Sequence, residues 1–150
     1  MVAPAETTSL RDAVAHRLHR AGQRRTANRD ALVDVLMTAR RPLTIPEILE
    51  ADGDLAQSSV YRNLVLLEQA GVVHRIVTNA EFARFELAED LTGDHHHPLL
   101  CSSCGAVEDA PASASIERAV HQAIDEVERE TGFSTTAHRI DLVGLCRECG

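Results

Sequence analysis

The sequence predicts an α+β chain of two unequal parts: a helical amino-terminal part closed by a two-stranded ribbon, then a small α/β part stapled by metal. Three observations carry this reading. Apolar residues recur at helical spacing as far as Ala70 and then give way to short runs of β-branched and aromatic residues. Two Cys-x-x-Cys pairs, Cys101 with Cys104 and Cys146 with Cys149, bracket the second part. Charge divides as well: residues 10–45 carry eight Arg against three acids, a balance of +5, whereas residues 76–150 carry five Arg against fourteen acids, a balance of −9. The net −8 of the whole chain therefore conceals a basic first half suited to phosphate.

Leu10, Val14, Leu18 and Ala21 form the apolar stripe of a first helix stopped by Gly22, with His16, Arg17, His19 and Arg20 on its other faces. Thr26 is placed to cap a second helix whose stripe is Leu32, Val35, Leu36 and Ala39 and which ends at Arg40, Arg41 and Pro42. Thr44 and Glu47 have capping-box spacing, in which the hydroxyl accepts from the N–H three residues on and the carboxylate accepts from the threonine N–H. They open a third helix with Ile45, Ile48 and Leu49 inward. A fourth helix over residues 56–70 ends at Gly71 and buries Val60, Leu64 and Leu67, while Ser58 and Arg62, flanked by Ser59 and Tyr61, face outward. Two strands follow, residues 72–77 and 82–87, joined by a turn over 78–81. Helices leading into such a ribbon make a winged helix-turn-helix, whose last helix enters the major groove of DNA. Residues 1–87 are accordingly expected to form a DNA-binding domain.

Residues 88–97 change character: acids, a Thr-Gly break, then His95, His96 and His97. This is the expected hinge. In residues 98–150, short strands at 98–100 and 106–108 flank the first cysteine pair, and a helix over 115–130 aligns Ile116, Val120, Ala123, Ile124 and Val127. A final strand over 135–145 sets His138, Ile140 and Leu142 on one face by its period of two. A unit this small commonly needs a metal or a partner subunit, so it reads as a zinc-stapled dimerisation domain.

The four cysteines make one site only if the 41 residues between the pairs fold back on themselves. Zinc suits such a set, because a borderline cation with no geometric preference accepts four thiolates at tetrahedral corners and each tight turn supplies two. Two disulfides would use the same residues, but the opening MVAPAETTSL lacks the basic start and apolar core of a secretory signal. With no apolar run long enough to span a bilayer, the expected location is the cytoplasm. Zinc hydrolases are the competing class. The deaminase His-x-Glu and the metalloprotease His-Glu-x-x-His are both absent, so the chain is read as a non-enzyme.

The run SSVYRNLVLLEQAGVV resembles the recognition helix of the ferric uptake regulator family. FEL followed by the histidine cluster, CSSCG, His138 eight residues before the next cysteine, and the closing CRECG are similar to that family's metal-binding half. The match runs from about Leu10 to Cys149. It implies a homodimeric, metal-responsive transcriptional repressor that binds AT-rich inverted-repeat operators in double-stranded DNA ahead of metal-uptake genes. A peroxide-sensing regulator of the same family is the alternative. The resemblance puts structural Zn²⁺ on Cys101, Cys104, Cys146 and Cys149, and a second site on His95, His97, Glu117 and His138. For a third, sensory site it points to His74, Glu86 and His96, holding regulatory Zn²⁺ or Fe²⁺, with Mn²⁺ and Ni²⁺ also compatible with such ligands. The pattern departs from the family where Pro98 and Leu43 replace histidines found in relatives, and Asp94 or Asp109 is positioned to supply a missing oxygen.

Toward DNA, Tyr61 and Arg62 are the base-contacting candidates, Tyr61 on thymine methyl groups and Arg62 on a guanine edge or phosphate. Ser58 and Ser59 at the helix start are expected to hold phosphate, and Arg24, Arg25 and Arg29 to track the backbone. Every basic residue other than histidine is arginine, whose planar fork suits bidentate contact.

Overall fold

A computed structural model describes residues 4–77, 82–93 and 95–150; the expected turn over 78–81 and Asp94 lie outside them. The first helix, α1 (Pro4–Arg20), buries Leu10, Val14 and Leu18, one residue per turn on a single face. Thr26 caps α2 (Ala27–Ala39) by accepting from the Arg29 N–H. Leu32, Val33 and Leu36 form its inward face, and Val35 stands at the margin of the core where the stripe had placed it inside. Thr44 and Glu47 make the complete capping box ahead of α3 (Ile45–Ala51).

Val60, Leu64 and Leu67 of α4 (Gln57–Gln69) are each no more than 1% exposed, as is Ile48 of α3. Burying one such side chain contributes roughly 2 kcal/mol. The ribbon is β2 (Val73–Ile76) against β3 (Arg84–Leu87), antiparallel, with Val73 opposite Leu87 and Ile76 opposite Arg84. A third, unexpected strand, β1 (Leu43–Thr44), pairs with the far edge of β3 and gives the order β1-β3-β2. This is a winged helix, its core shared by all four helices and the sheet.

The expected hinge is more structured than its composition implied: residues 89–92 wind into one helical turn, α5 (Glu89–Thr92), closed by Gly93 in the left-handed region. Then β4 (His96–Cys101) begins two residues ahead of expectation and carries His96 and His97 into a second sheet, ordered β5-β4-β6. Its antiparallel neighbour is β5 (Val107–Pro111), and α6 (Ala114–Thr131) follows. The long final strand shrinks to β6 (Leu142–Gly144), parallel to β4. That parallel ladder starts with Leu99 opposite Leu142, immediately after Pro98, which has no N–H to donate.

The two parts differ in how they are held. From residue 95 onward the buried side chains are His97, Pro98, Leu100 and Cys101, and α6 buries none. Val127, Phe133, Leu142, Val143 and Leu145 are exposed.

Candidate metal centres and nucleic-acid face

Parallel pairing of β4 with β6 brings the two cysteine turns together, with Cys101 in register with Gly144 and the Ser102 N–H on the Gly144 carbonyl at 2.8 Å. In each turn the first cysteine's carbonyl accepts from an N–H three or four residues on: Gly105 to Cys101 at 3.0 Å, Cys149 and Gly150 to Cys146 at 3.0 and 2.9 Å. The first turn needs the positive φ of Gly105, 72°. All four sulfurs lie within 4.8 Å of one another, and Cys104 Sγ stands 3.7 Å from Cys146 Sγ. Thiolates around an ion with bonds of ~2.3 Å are about 3.8 Å apart, whereas a disulfide needs about 2.05 Å. The spacing is that of ligands, and all four cysteines are free. Backbone N–H groups at Cys104 and Cys146 draw the Cys101 thiol down to about 6. The Ala106 N–H pulls Cys104 the same way, yet the three neighbouring sulfurs push it up to about 11. Four thiolates this close repel one another, so their joint deprotonation calls for a cation at the centre.

His95, His97, Glu117 and His138 also converge, their ligand atoms within 4.8 Å of one another. His97, 2% exposed, reaches Glu117 Oε1 through Nε2 at 2.8 Å. His95 Nε2 lies 3.1 Å from the same oxygen, and His138 Nε2 lies 3.2 Å from Oε2. His95 Nδ1 meets Glu89 Oε2 at 2.6 Å, and this carboxylate holds the proton on Nδ1. Nε2 of His95 then presents a lone pair 3.1 Å from His138 Nε2. Two ring nitrogens in that position need a proton or a cation between them, and three imidazoles with one carboxylate are a fitting donor set for a divalent ion. Glu89 raises His95 above the usual imidazole value. Burial opposes ionisation of Glu117, but His97, His95 and His138 hold its carboxyl below the usual range.

A third group forms from Glu86, His96 and Asp109. His96 Nε2 lies 3.2 Å from Glu86 Oε2 and 3.5 Å from Asp109 Oδ1. Burial raises both carboxyls. It works against the charged imidazole, yet the Glu86 and Asp109 carboxylates raise His96. His74, expected in this group, pairs with Glu86 across the ribbon but its ring is not among the converging atoms. Burial, then Arg139, lowers its pKa, since both penalise the imidazolium. Asp109 takes the third place because β4 and β5 set it opposite Pro98. Glu89, which the sequence did not single out, sits behind His95 with its carboxylate on Nδ1; only the fold shows it, since one carboxylate in an acidic stretch carries no mark.

On α4, Tyr61 is 60% exposed, and Ser58 and Arg62 are exposed beside it. Ala56 provides no side-chain cap for the first N–H groups of this helix, where Ser58 is exposed. Ser59 is engaged differently, its hydroxyl accepting from Asn28 Nδ2 at 2.8 Å and Asn63 Nδ2 at 3.1 Å. Arg24 and Arg25 are exposed, Arg25 paired with Asp30 at 2.8 Å. Arg29, expected on the DNA backbone with them, is turned inward. It is 9% exposed, and its guanidinium is spent on Asn63 Oδ1 at 3.0 Å, Gln23 Oε1 at 3.3 Å and the Arg24 carbonyl, which ties α2 to α4 and leaves no fork for phosphate.

The Ferric uptake regulator family model matches residues 20–143. Two similar proteins come from Bacillus subtilis (strain 168): a Ferric uptake regulation protein, 28% identical over 144 residues covering 92% of this chain and 93% of that one, and a Peroxide operon regulator, 29% identical over 140 residues covering 88% of each. The solved structure of the ferric uptake regulator from Pseudomonas aeruginosa with manganese aligns with a TM-score of 0.67 at 27% identity, covering 87% of this chain and 95% of that one. With the match spanning both the winged helix and the sheet that carries the histidines, the chain belongs to the Ferric uptake regulator family.

Proposed function

We propose that this chain is a metal-responsive transcriptional repressor, acting in the cytoplasm as a homodimer on AT-rich inverted-repeat operators of metal-homeostasis genes. Residues 1–87 hold DNA, residues 88–97 are the hinge, and residues 98–150 dimerise. The observation that carries this reading is that one hinge segment, His95 to His97, gives ligands to two different groups while it joins the two parts of the chain.

Cys101, Cys104, Cys146 and Cys149 would hold structural Zn²⁺ and lock the two cysteine turns together. His95, His97, Glu117 and His138 would hold a second divalent ion, and Glu86, His96 and Asp109 a regulatory one, Zn²⁺ or Fe²⁺. A bound cation supplies a fixed point that ribbon, hinge and second sheet share. The residues do the rest: His95 and His97 draw toward Glu117 on one side, His96 toward Glu86 and Asp109 on the other, and the hinge loses its freedom. If only that arrangement presents two α4 helices at half-site spacing, metal affinity becomes DNA affinity. Tyr61 packs on thymine methyl groups, Arg62 reaches guanine or phosphate, Ser58 and the uncapped start of α4 hold a phosphate, and Arg24 and Arg25 follow the backbone. The exposed apolar residues of α6 and β6 favour a second copy as their cover.

The test is fluorescence anisotropy of a labelled AT-rich inverted-repeat duplex with the zinc-retaining protein, before and after stoichiometric Zn²⁺ or anaerobic Fe²⁺. Tighter binding with either ion is expected; affinity unchanged by every ion, on fragments selected from genomic DNA as well, would refute the regulator. A peroxide sensor is the second reading, favoured by the oxygen-rich third group, one imidazole with two carboxylates, which suits Fe²⁺. Mass spectrometry of iron-loaded protein after peroxide exposure distinguishes it by an added oxygen on a ligand histidine.

A further inference from the structure

The hinge is not a free tether. Two adjacent side chains of α5 lead in different directions. Glu89 reaches the histidine segment, with Oε2 accepting from His95 Nδ1 at 2.6 Å and Oε1 lying 3.5 Å from the backbone N–H of His96. Asp90 is gripped from α1: both terminal nitrogens of Arg17 donate to its carboxylate, one of them at 3.2 Å to Oδ1. The same Arg17 nitrogen also donates to the Gly71 carbonyl just past α4. One turn of helix thus touches the histidine segment on one side and the first helix on the other, and Arg17 of that helix carries the contact on to the end of the recognition helix.

We propose that α5 couples the second metal site to the DNA-binding domain, with Glu89 as the positioning residue of His95 and the Asp90–Arg17 pair as the clamp that carries the hinge's position to α1 and α4. This rests on the regulator reading above, because it assigns a route to the coupling that reading requires. An imidazole that ligates through Nε2 must keep its proton on Nδ1, and a carboxylate accepting that proton fixes both tautomer and ring orientation. Glu89 does so for His95, whose Nε2 then faces Glu117 and His138. When His95 moves toward those partners, its 2.6 Å bond moves Glu89, and Asp90 follows because the two are neighbours on one short turn. Arg17 then shifts with Asp90. The clamp suits a switch, since the Asp90 side chain is 71% exposed and an exposed ion pair breaks and re-forms readily.

The test uses the full chain with its structural zinc retained, in the His96→Ala background so that the second site alone is titrated. Zinc affinity is measured by competition with a chromophoric chelator, and zinc-induced protection of α1 and α5 amides by hydrogen exchange. Glu89→Ala is expected to weaken zinc binding about 10–100-fold, as loss of an orienting partner does. Glu89→Gln, whose amide oxygen still accepts the Nδ1 proton, is expected to recover most of that loss. Arg17→Ala is expected to keep zinc affinity within about twofold, well below that range, while α1 loses its zinc-induced protection. Zinc affinity unaffected by Glu89→Ala, a Glu89→Gln chain as weak as Glu89→Ala, or full protection of α1 in Arg17→Ala would overturn the proposal. No DNA enters either measurement, so failure of the regulator reading would show separately, as a wild-type protein whose zinc-induced protection brings no change in DNA affinity.

Discussion

Replacing Arg29 by Ala should destabilise the winged helix by about 2–4 kcal/mol and leave the electrostatic part of DNA binding intact. The magnitude follows from its contacts. The guanidinium donates to Asn63 Oδ1 at 3.0 Å, to Gln23 Oε1 at 3.3 Å and to the Arg24 carbonyl, at 9% exposure. Hydrogen bonds from a charged donor contribute roughly 1.5–3 kcal/mol net each. Three at full value would overstate the loss, because Gln23 is half-buried and water can replace its partner, and Asn63 retains Ser59 through its amide nitrogen. An arginine on phosphate behaves in the opposite way: its loss releases one counterion fewer and lowers the slope of log affinity against log salt by about 0.9. Urea denaturation and anisotropy across a salt series separate the two. Arg29→Ala should lose stability with the slope unchanged, and Arg62→Ala, exposed on α4, should lose slope with stability unchanged. An Arg29→Ala chain as stable as wild type, with its slope reduced by about one, would sink the assignment of this residue to the interior.

Other consequences are equally direct. Cys146→Ser removes one corner of the cysteine group, and structural zinc sites supply about 10–16 kcal/mol of folding free energy, so the variant should lose zinc and its dimer; a zinc-replete dimer on ultracentrifugation would contradict this. Leu64→Ala, at a site 1% exposed, should cost about 3 kcal/mol in urea melts by emptying the space between α4 and the core; a cost below about 1 kcal/mol would mean that the core refills. For pH, His95 and His96 both have raised folded pKa values. Their contribution to the stability of metal-free protein is therefore complete below the unfolded value of about 6.5 and is lost as pH rises through the folded values. Zinc binding runs the other way, because a ligating nitrogen must first lose its proton, so the zinc-induced rise in melting temperature should grow with pH from about 6 to 8; a flat increment would exclude these histidines as ligands.

What the sequence disclosed depended on how locally each feature is written. The Thr26 cap, the Thr44 and Glu47 box and the Val60, Leu64, Leu67 stripe each involve neighbours within a turn or two, and all three are in the structure as expected. A strand of two residues, Leu43 and Thr44, has no period to detect, and neither does the single turn α5. Arg29 looked like its neighbours Arg24 and Arg25 because the residue that holds it inside, Asn63, is 34 positions away. The same limit explains the third group. Asp109 reaches His96 through the register of β4 with β5, which sequence spacing does not fix, whereas His74 and Glu86 are ribbon partners whose pairing alone does not bring an imidazole to a shared centre.

The three consecutive histidines acquire their meaning from the geometry of an extended chain. Side chains alternate along a strand, so His95 and His97 turn one way and His96 the other. An irregular coil would have let one ion gather all three. Extension forbids that, and it divides the run between a nitrogen-rich group that includes α6 through Glu117 and the segment ahead of β6 through His138, and an oxygen-rich group that includes the ribbon through Glu86. Neither group can tighten without fixing the backbone that the other depends on, because their histidines are consecutive residues. Occupancy of one should therefore raise the affinity of the other, and by linkage the effect must be equal in both directions. Glu89, bonded to the His95 ring and near the His96 N–H, belongs to both sides of that exchange and makes the hinge a single element instead of two independent sites.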